Sequence, residues 1–362
     1  MLKFHALKIT ERTAIADDAV AIGFALPEEL RADYRFQAGQ HVAVRAVLDG
    51  QEERRTYSIV SPEGADRLRI GFRTQAGGRM SPYLAGKMRI GDTLDVLTPN
   101  GSFHTQLEPG RAKHYLAFAA GSGITPVLSI AATVLAVEPD SRFQLYYGNT
   151  STARTMFLEE VLALKDRFLP RFSVCFVMSR EPQEFELFNG RLDAAKVREL
   201  ARHEFDAAAV DEFFICGPGS MAADVQEALT SLGARGRVHV EYFGPTAAAP
   251  AVVPTGAPVA PPTKAATPAD GANITVIMDG RRRSFRMPMH DEAILDAAGR
   301  AGLELPFSCR AGVCSTCRAK LLSGTAEMEH NVALEDWEVE AGYILCCQAR
   351  PTSPALEISY DE

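Results

Sequence analysis

A chain of 362 residues has room for roughly two to three domains, and 46% hydrophobic with 23% charged residues is the balance of a globular protein, not of a fibrous or disordered one. Lys+Arg 38 against Asp+Glu 46 gives a formal net charge of -8, which argues against a phosphate-binding surface over the whole molecule and so against nucleic acid as a partner. The segment MLKFHALKIT has no apolar core of signal-peptide length, and apolar stretches such as Tyr115 to Ala120 are too short to span a bilayer. A cytoplasmic protein without a membrane partner is therefore expected. Thiols stay reduced there, so seven cysteines, five of them between Cys309 and Cys347, need a role other than disulfides.

Residues 1–110 alternate in strand fashion, as in Leu68, Ile70 and Phe72, with turns such as Pro99-Asn100-Gly101 between segments. That pattern predicts an antiparallel β-barrel domain. Within it, the stretch from Arg55 through Tyr57 and Ser58 to Ser61 offers a cation, an aromatic ring and a hydroxyl on one strand, read as pointing to one side. Arg55 suits a pyrophosphate through its fork of donors, Tyr57 can lie on a flavin ring, and Ser58 can hydrogen-bond the flavin edge. Such a strand can also be purely structural. The run Gly77-Gly78-Arg79-Met80-Ser81 adds weight as a glycine-rich turn opening a short helix, a seat for phosphate.

Residues 111–244 change period. Strands are predicted at Tyr115–Ala119, Phe143–Tyr147, Phe172–Met178 and Glu212–Cys216, with helices at Thr125–Val137, Thr155–Lys165 and Met221–Leu232. Alternation of this kind implies a doubly wound α/β sheet of parallel strands. Gly121-Ser122-Gly123-Ile124-Thr125-Pro126 follows a strand and opens a helix, with Thr125 read as N-cap and Pro126 as first helical residue. Its amides can receive a dinucleotide pyrophosphate, although it is not the full Gly-x-Gly-x-x-Gly fingerprint. Cys216 ends a later strand at the carboxyl edge, where such sheets hold ligands, and its small thiol leaves room for a nicotinamide. A buried strand-end residue is the alternative for Cys216, and the favoured reading for mid-strand Cys175.

Between Pro245 and Ala269, 9 of 25 residues are Ala, 7 are Pro, and Lys264 is the one charge. Residues 245–270 read as a linker biased to polyproline II, with a reach on the order of 80 Å. Beyond it, residues 271–362 hold short strands and a helix whose Ile294, Ala297, Ala298 and Ala301 share one face. Cys309, Cys314, Cys317 and Cys347 have the form Cys-x4-Cys-x2-Cys followed after 29 residues by Cys, the plant-type spacing for a [2Fe-2S] cluster. Gly312 lets backbone pass close to such a cluster. Zinc also takes four thiolates, though its loops usually come as paired Cys-x2-Cys. The gap favours Cys347 over its neighbour Cys346 as the fourth ligand. This last domain carries 9 Lys+Arg and 14 Asp+Glu, a net of -5, and an oxidised cluster would add about two more negative charges. Glu327, Glu329, Glu335, Asp336, Glu338 and Glu340 could steer it to a basic partner or simply be solvated. The single Glu327-x-x-His330 is read as a chance match, because a di-iron bundle needs two such motifs on long helices.

The segments LPFSCRAGVCSTCRAKLLSG and GYILCCQARP resemble plant-type ferredoxins, which implies a β-grasp fold for the last domain. RTYSIVS, GGRMS, AGSGITP, YYGNT, MSREP and CGPGSM occur in the order and spacing of the ferredoxin-NADP reductase superfamily. That resemblance implies that Arg55, Tyr57, Ser58 and Ser81, with Gly78 and Met80 of the same turn, hold FAD. It implies that Gly121, Gly123, Thr125 and Pro126 frame the nicotinamide dinucleotide, with Cys216 and Glu241 near the site of hydride transfer. Ser179-Arg180 resembles the pair that grips the 2′-phosphate of NADPH, while Arg180 can equally be an ordinary surface charge. The order of the parts resembles the reductase components of bacterial phenylacetyl-CoA epoxidases, which implies a di-iron oxygenase as electron acceptor. One departure is Thr150, where relatives of this type often carry Arg. A reductase of another oxygenase, or a redox-sensing protein that does not turn over, stays open.

Overall fold

The computed structural model describes residues 2–243 and 271–362, so the predicted linker, residues 245–270, lies outside the described residues. The chain divides into two compact units, one holding residues 3–243 and the other residues 271–362 of the described part. Among the described residues no helix is long and apolar enough to cross a membrane.

The first unit begins with β1 (Phe4–Ala16), β2 (Ala19–Phe24), β3 (His41–Leu48), β4 (Gln51–Ser58), β5 (Leu68–Arg73), the short helix α1 (Met80–Gly86) and β6 (Thr93–Leu97). They form an antiparallel sheet in the order β4-β3-β6-β1-β2-β5. A bridge between Ile59 and Ile70 joins its two ends into a barrel. Side chains on alternate positions, Leu68, Ile70 and Phe72 with Val42, Val44, Leu94 and Val96, fill the interior.

The second half of this unit runs β7 (His114–Ala120), α2 (Ile124–Val137), β8 (Arg142–Asn149), α3 (Leu158–Arg167), β9 (Phe172–Met178), α4 (Ala194–His203), β10 (Glu212–Pro218), α5 (Gly219–Ser231) and β11 (Arg237–Phe243). The strands are parallel in the order β11-β10-β7-β8-β9. Tyr115, Ala117 and Ala119 of β7 face a core with Ile124, Val127 and Val134 of α2, and Leu116 and Phe118 face the core that holds Val197 of α4 and Val225 of α5. Helices therefore cover both faces, and the carboxyl ends of β7 and β10 open on one edge.

Three predicted helix starts differ from the structure, α5 beginning at Gly219 and not at Met221. Helix α2 begins at Ile124 behind a 3-10 turn over Gly121–Gly123, so Thr125 lies inside it, and its hydroxyl donates to the Ser122 carbonyl at 2.8 Å instead of capping. Helix α3 begins at Leu158, not Thr155, because Phe157 takes a left-handed conformation with φ 56°. Its buried ring occupies the hollow at Gly71 of β5, where a Cβ would meet the ring at 2.4 Å.

The second unit contains β12 (Ala272–Met278), β13 (Arg281–Met287), α6 (Ile294–Arg300), β14 (Arg318–Ser323), β15 (Ala326–Met328), α7 (Asp336–Glu340), β16 (Tyr343–Leu345), β17 (Ala349–Pro351) and β18 (Ala355–Ser359). Its main sheet has the order β13-β12-β18-β14-β16, with β12 and β18 parallel. Ile294, Ala297 and Ala298 of α6 are buried against it, and Ala301, just past the helix, is exposed.

Candidate functional site

The barrel contributes β4 and the turn before α1. Alternation along β4 separates residues that the sequence reading put on one side. Tyr57 packs on Phe72 with ring centroids 5.2 Å apart, whereas the next residue, Ser58, is buried on the other face. Burial raises the Tyr57 phenol well above its ordinary range. Arg55 is exposed, 2.9 Å from Glu53. In the turn, Ser81 Oγ accepts from the Gln75 amide at 3.0 Å, and the Gly78 amide donates to the Gln75 carbonyl at 3.0 Å. Arg79 ties this turn to the β3–β4 hairpin, donating to the Leu48 carbonyl at 2.7 Å and pairing with Glu53 at 3.2 Å. Met80 is buried in the barrel core.

Gly121, Gly123 and Cys216 meet at the carboxyl edge of the parallel sheet. Gly121 has φ 54°, and the Tyr147 hydroxyl lies 3.0 Å from its carbonyl. No side chain caps the first turn of α2; the Ile124 amide donates instead to the Gly121 and Ser122 carbonyls of the preceding 3-10 turn. Pro126 stands in that turn, buried with Thr125.

Ser58, Cys216 and Glu241 come together across 183 residues of sequence. The Ser58 hydroxyl donates to Glu241 Oε2 at 3.3 Å, and Cys216 Sγ lies 3.9 Å from the same oxygen. Register explains the second contact, since Cys216 and Glu241 are paired positions on β10 and β11. Burial, then the neighbouring carboxylate, pushes the Cys216 thiol far up, so it stays protonated. His41 joins this group with Nδ1 3.8 Å from Glu241 Oε1, and the sequence reading missed it. The Asp49-Gly50 hairpin tip held the signal: counting back along β3 and β4 from Leu48 opposite Gln51 sets His41 opposite Ser58.

Ser179 and Arg180 leave β9 beside the end of β8, their amides bonded to the carbonyls of Asn149 and Thr150 at 2.9 Å and 3.0 Å. Arg180 is exposed. The adjacent Glu181 is engaged elsewhere: it accepts from the Thr152 amide at 2.7 Å and hydroxyl at 2.6 Å, bonds that draw its carboxyl below the usual range. Thr150 Oγ1 is buried and has no hydrogen-bond partner among the described residues.

In the second unit, the loop carrying Cys309, Cys314 and Cys317 curls through positive φ at Arg310 (55°), Gly312 (73°) and Ser315 (50°). At Gly312 a Cβ would fall 2.6 Å from the His330 carbonyl oxygen, so only glycine fits. The Ala311 amide points at Cys309 Sγ at 3.3 Å. The four thiols form two pairs, Cys309 with Cys314 and Cys317 with Cys347. The bond from Cys314, working against burial, helps lower Cys309 to about 6, and Cys317 lowers Cys347. Cys346 is fully buried and turned toward Tyr360, its thiol pushed up to about 12 by burial. Among the described residues no three His, Cys, Asp or Glu side chains surround a single point. Two pairs with inward amides fit a dinuclear cluster, which takes two thiolates per iron, better than one tetrahedral zinc.

Two acidic positions need correction or placement. Glu338 is 1% exposed and bound to Arg318 at 2.9 Å, because it closes the capping box of α7 with Glu335; it cannot steer a partner. Glu327 lies in strand β15, so no helix carries Glu327 and His330 together.

Comparison with known proteins agrees with this division of labour. Residues 6–105 match the oxidoreductase FAD-binding domain family, residues 118–227 the oxidoreductase NAD-binding domain family, and residues 276–352 the 2Fe-2S iron-sulfur cluster binding domain family. The chain is 38% identical to a subunit of the 1,2-phenylacetyl-CoA epoxidase of Escherichia coli (strain K12), over 100% of this chain and 99% of that protein. It is 33% identical to the ferredoxin reductase component of 3-ketosteroid-9-alpha-monooxygenase from Rhodococcus rhodochrous, covering 97% and 95% of the two chains. Among solved structures, phthalate dioxygenase reductase matches with TM-score 0.57 and 26% identity over 98% of both chains. A chain that joins FAD-binding, nicotinamide-binding and 2Fe-2S domains, and aligns end to end with such components, belongs to the family of electron-transfer reductases of multicomponent oxygenases.

Proposed function

We propose that this reductase draws electrons from NADPH and delivers them to the oxygenase component of a phenylacetyl-CoA epoxidase, a di-iron enzyme, in the cytoplasm. The observation that carries the acceptor is the end-to-end 38% identity with the epoxidase protein of Escherichia coli.

Hydride donors give two electrons together and an iron-sulfur cluster accepts one, and a bound flavin supplies the conversion between the two. In this reading Arg55 and the Gly77–Ser81 turn hold the FAD phosphates, with Tyr57 and Ser58 at its ring. Gly121, Gly123, Thr125 and Pro126 seat the dinucleotide against the start of α2. Cys216, a buried thiol that stays protonated, gives the nicotinamide a neutral side chain to lie on. Glu241 orients the Ser58 hydroxyl. Cys309, Cys314, Cys317 and Cys347 hold the cluster.

For NADPH over NADH, the support is Arg180. It is exposed, and its neighbour Glu181 is bound to Thr152, so its guanidinium is uncommitted toward a 2′-phosphate.

The test is reconstitution. Purified chain, the oxygenase components, NADPH and phenylacetyl-CoA should together yield the epoxide. Efficient reduction of a different oxygenase with none of this product would overturn the assigned acceptor.

A further inference from the structure

We infer that Gln348 is a positioning residue for the iron-sulfur cluster: its side-chain amide straps the cysteine loop to the closing segment and raises the cluster's electron affinity through a hydrogen bond to the Cys347 sulfur. The inference rests on the reading above that Cys309, Cys314, Cys317 and Cys347 hold a [2Fe-2S] cluster.

The backbone fixes where this amide starts. Gln348 follows the last cysteine and precedes β17; its own amide donates to the Leu345 carbonyl at 2.8 Å, and its carbonyl accepts from the Glu329 amide at 3.1 Å. The side chain is buried. Its stem runs past Gly312, where a Cβ would stand 3.1 Å from Gln348 Cγ, so the glycine of the cysteine loop also leaves room for the glutamine.

The amide end then meets two acceptors. Nε2 donates to the Arg310 carbonyl, 38 residues earlier, at 2.9 Å, and lies 3.8 Å from Cys347 Sγ. A carbonyl oxygen and a ligating sulfur both accept, so the NH2 and not the oxygen of the side chain must face them, one N–H to each. Arg310 stands on the loop between the first two cysteines, in a left-handed conformation with φ 55°. One side chain therefore joins the loop that supplies three sulfurs to the segment that supplies the fourth.

Electrostatics gives the second role its sign. A cluster ligand is a thiolate, which makes the contact charge-assisted. An added electron increases the negative charge on the sulfurs, and an N–H aimed at one of them stabilises that state more than the oxidised one. Removing the donor should therefore disfavour reduction. One hydrogen bond's net value corresponds to about threefold to tenfold in that equilibrium, or about 30 to 60 mV for one electron.

The test uses the full chain with flavin and cluster bound. Gln348→Met keeps a side chain of similar length and removes both N–H groups. Its cluster should titrate at a potential lower by the amount above, the flavin of the first unit serving as a reference that does not move, and it should lose iron to a chelator about tenfold faster. An unchanged cluster potential overturns the inference, even where iron is lost faster. If the variant does not load, the wild type decides. Gln348 is the one glutamine among residues 271–362, so pulsed EPR of the reduced wild type carrying 15N in its glutamine side chains should show a 15N coupling from this amide; its absence overturns the inference. Failure of the cluster reading looks different, because the wild type would then give no [2Fe-2S] signal to titrate.

Discussion

Gly123 lies so close to the end of β10 that a Cβ on it would stand 2.0 Å from the Cys216 carbonyl oxygen and 3.0 Å from the Gly217 amide. The first turn of α2 therefore rests directly on the strand that carries the buried thiol. Backbone cannot swing aside as a flexible side chain can, so Gly123→Ala should move α2 away from β10. The expected outcome is a destabilisation of about 2 to 4 kcal/mol, together with a NADPH affinity at least tenfold weaker. Urea unfolding and a binding titration measure the two. Wild-type binding in this variant would show that α2 does not seat the dinucleotide.

Legibility in the sequence followed the range of the physics. The cysteine loop is local, nine residues from Cys309 to Cys317, and its spacing is set by the metal, so it reads directly. Parallel strands such as His114–Ala120, buried on both faces, stand out as apolar runs. What escaped depends on distant partners. Phe157 breaks a helical pattern because Gly71, far off in the barrel, leaves a hollow for its ring. His41 carries no motif, and only its pairing with Ser58 and the arrival of β11 give it a neighbour in Glu241. Glu338 looked like surface charge because a capping box inside an acidic run cannot be told from solvated carboxylates by composition.

The hollow at Gly71 makes its own prediction. Phe157 is fully buried between the barrel and the parallel sheet, so Phe157→Ala should cost about 3 to 5 kcal/mol through lost burial and the cavity left behind. The change belongs to the first unit alone. Thermal unfolding should show the flavin-associated transition falling, with the visible absorbance of the iron-sulfur domain lost at an unaltered temperature.

Arg180→Ala should weaken NADPH binding by the value of one charge-assisted contact, ~1.5 to 3 kcal/mol, or about 10- to 150-fold. NADH lacks the 2′-phosphate and should be affected less than about twofold. Steady-state KM values for both nucleotides test this, and an equal loss for both would remove Arg180 from phosphate recognition.

Neighbouring cysteines should behave in opposite ways. Cys346 points into the core toward Tyr360, while Cys347 meets Cys317. Cys346→Ala should retain iron and sulfide at wild-type stoichiometry, and Cys347→Ala should lose the cluster. Cys317→Ser should still reduce small dyes from NADPH and fail to deliver electrons to the oxygenase. Metal analysis and the visible spectrum settle the first pair, and the epoxide assay the last.

Glu212 provides a pH dependence with a definite sign. It is 5% exposed at the start of β10. Burial alone would raise its carboxyl, but bonds from His239, Lys113 and Thr105 outweigh burial and draw it down to about 2. The His239 bond is 3.0 Å, and that ring stacks on Phe214 at 4.7 Å. A carboxyl depressed in the folded state binds fewer protons than in the unfolded chain, so its contribution is complete above the ordinary value near 4.5 and is lost as the pH falls toward 2. The difference is on the order of 3 kcal/mol. Glu212→Gln should therefore be less stable than wild type by about that amount at neutral pH, and the gap should close below about pH 4. Urea unfolding followed by circular dichroism at several pH values measures both curves. A gap that stays constant down to about pH 2.5 would mean that Glu212 is not held ionised by these partners.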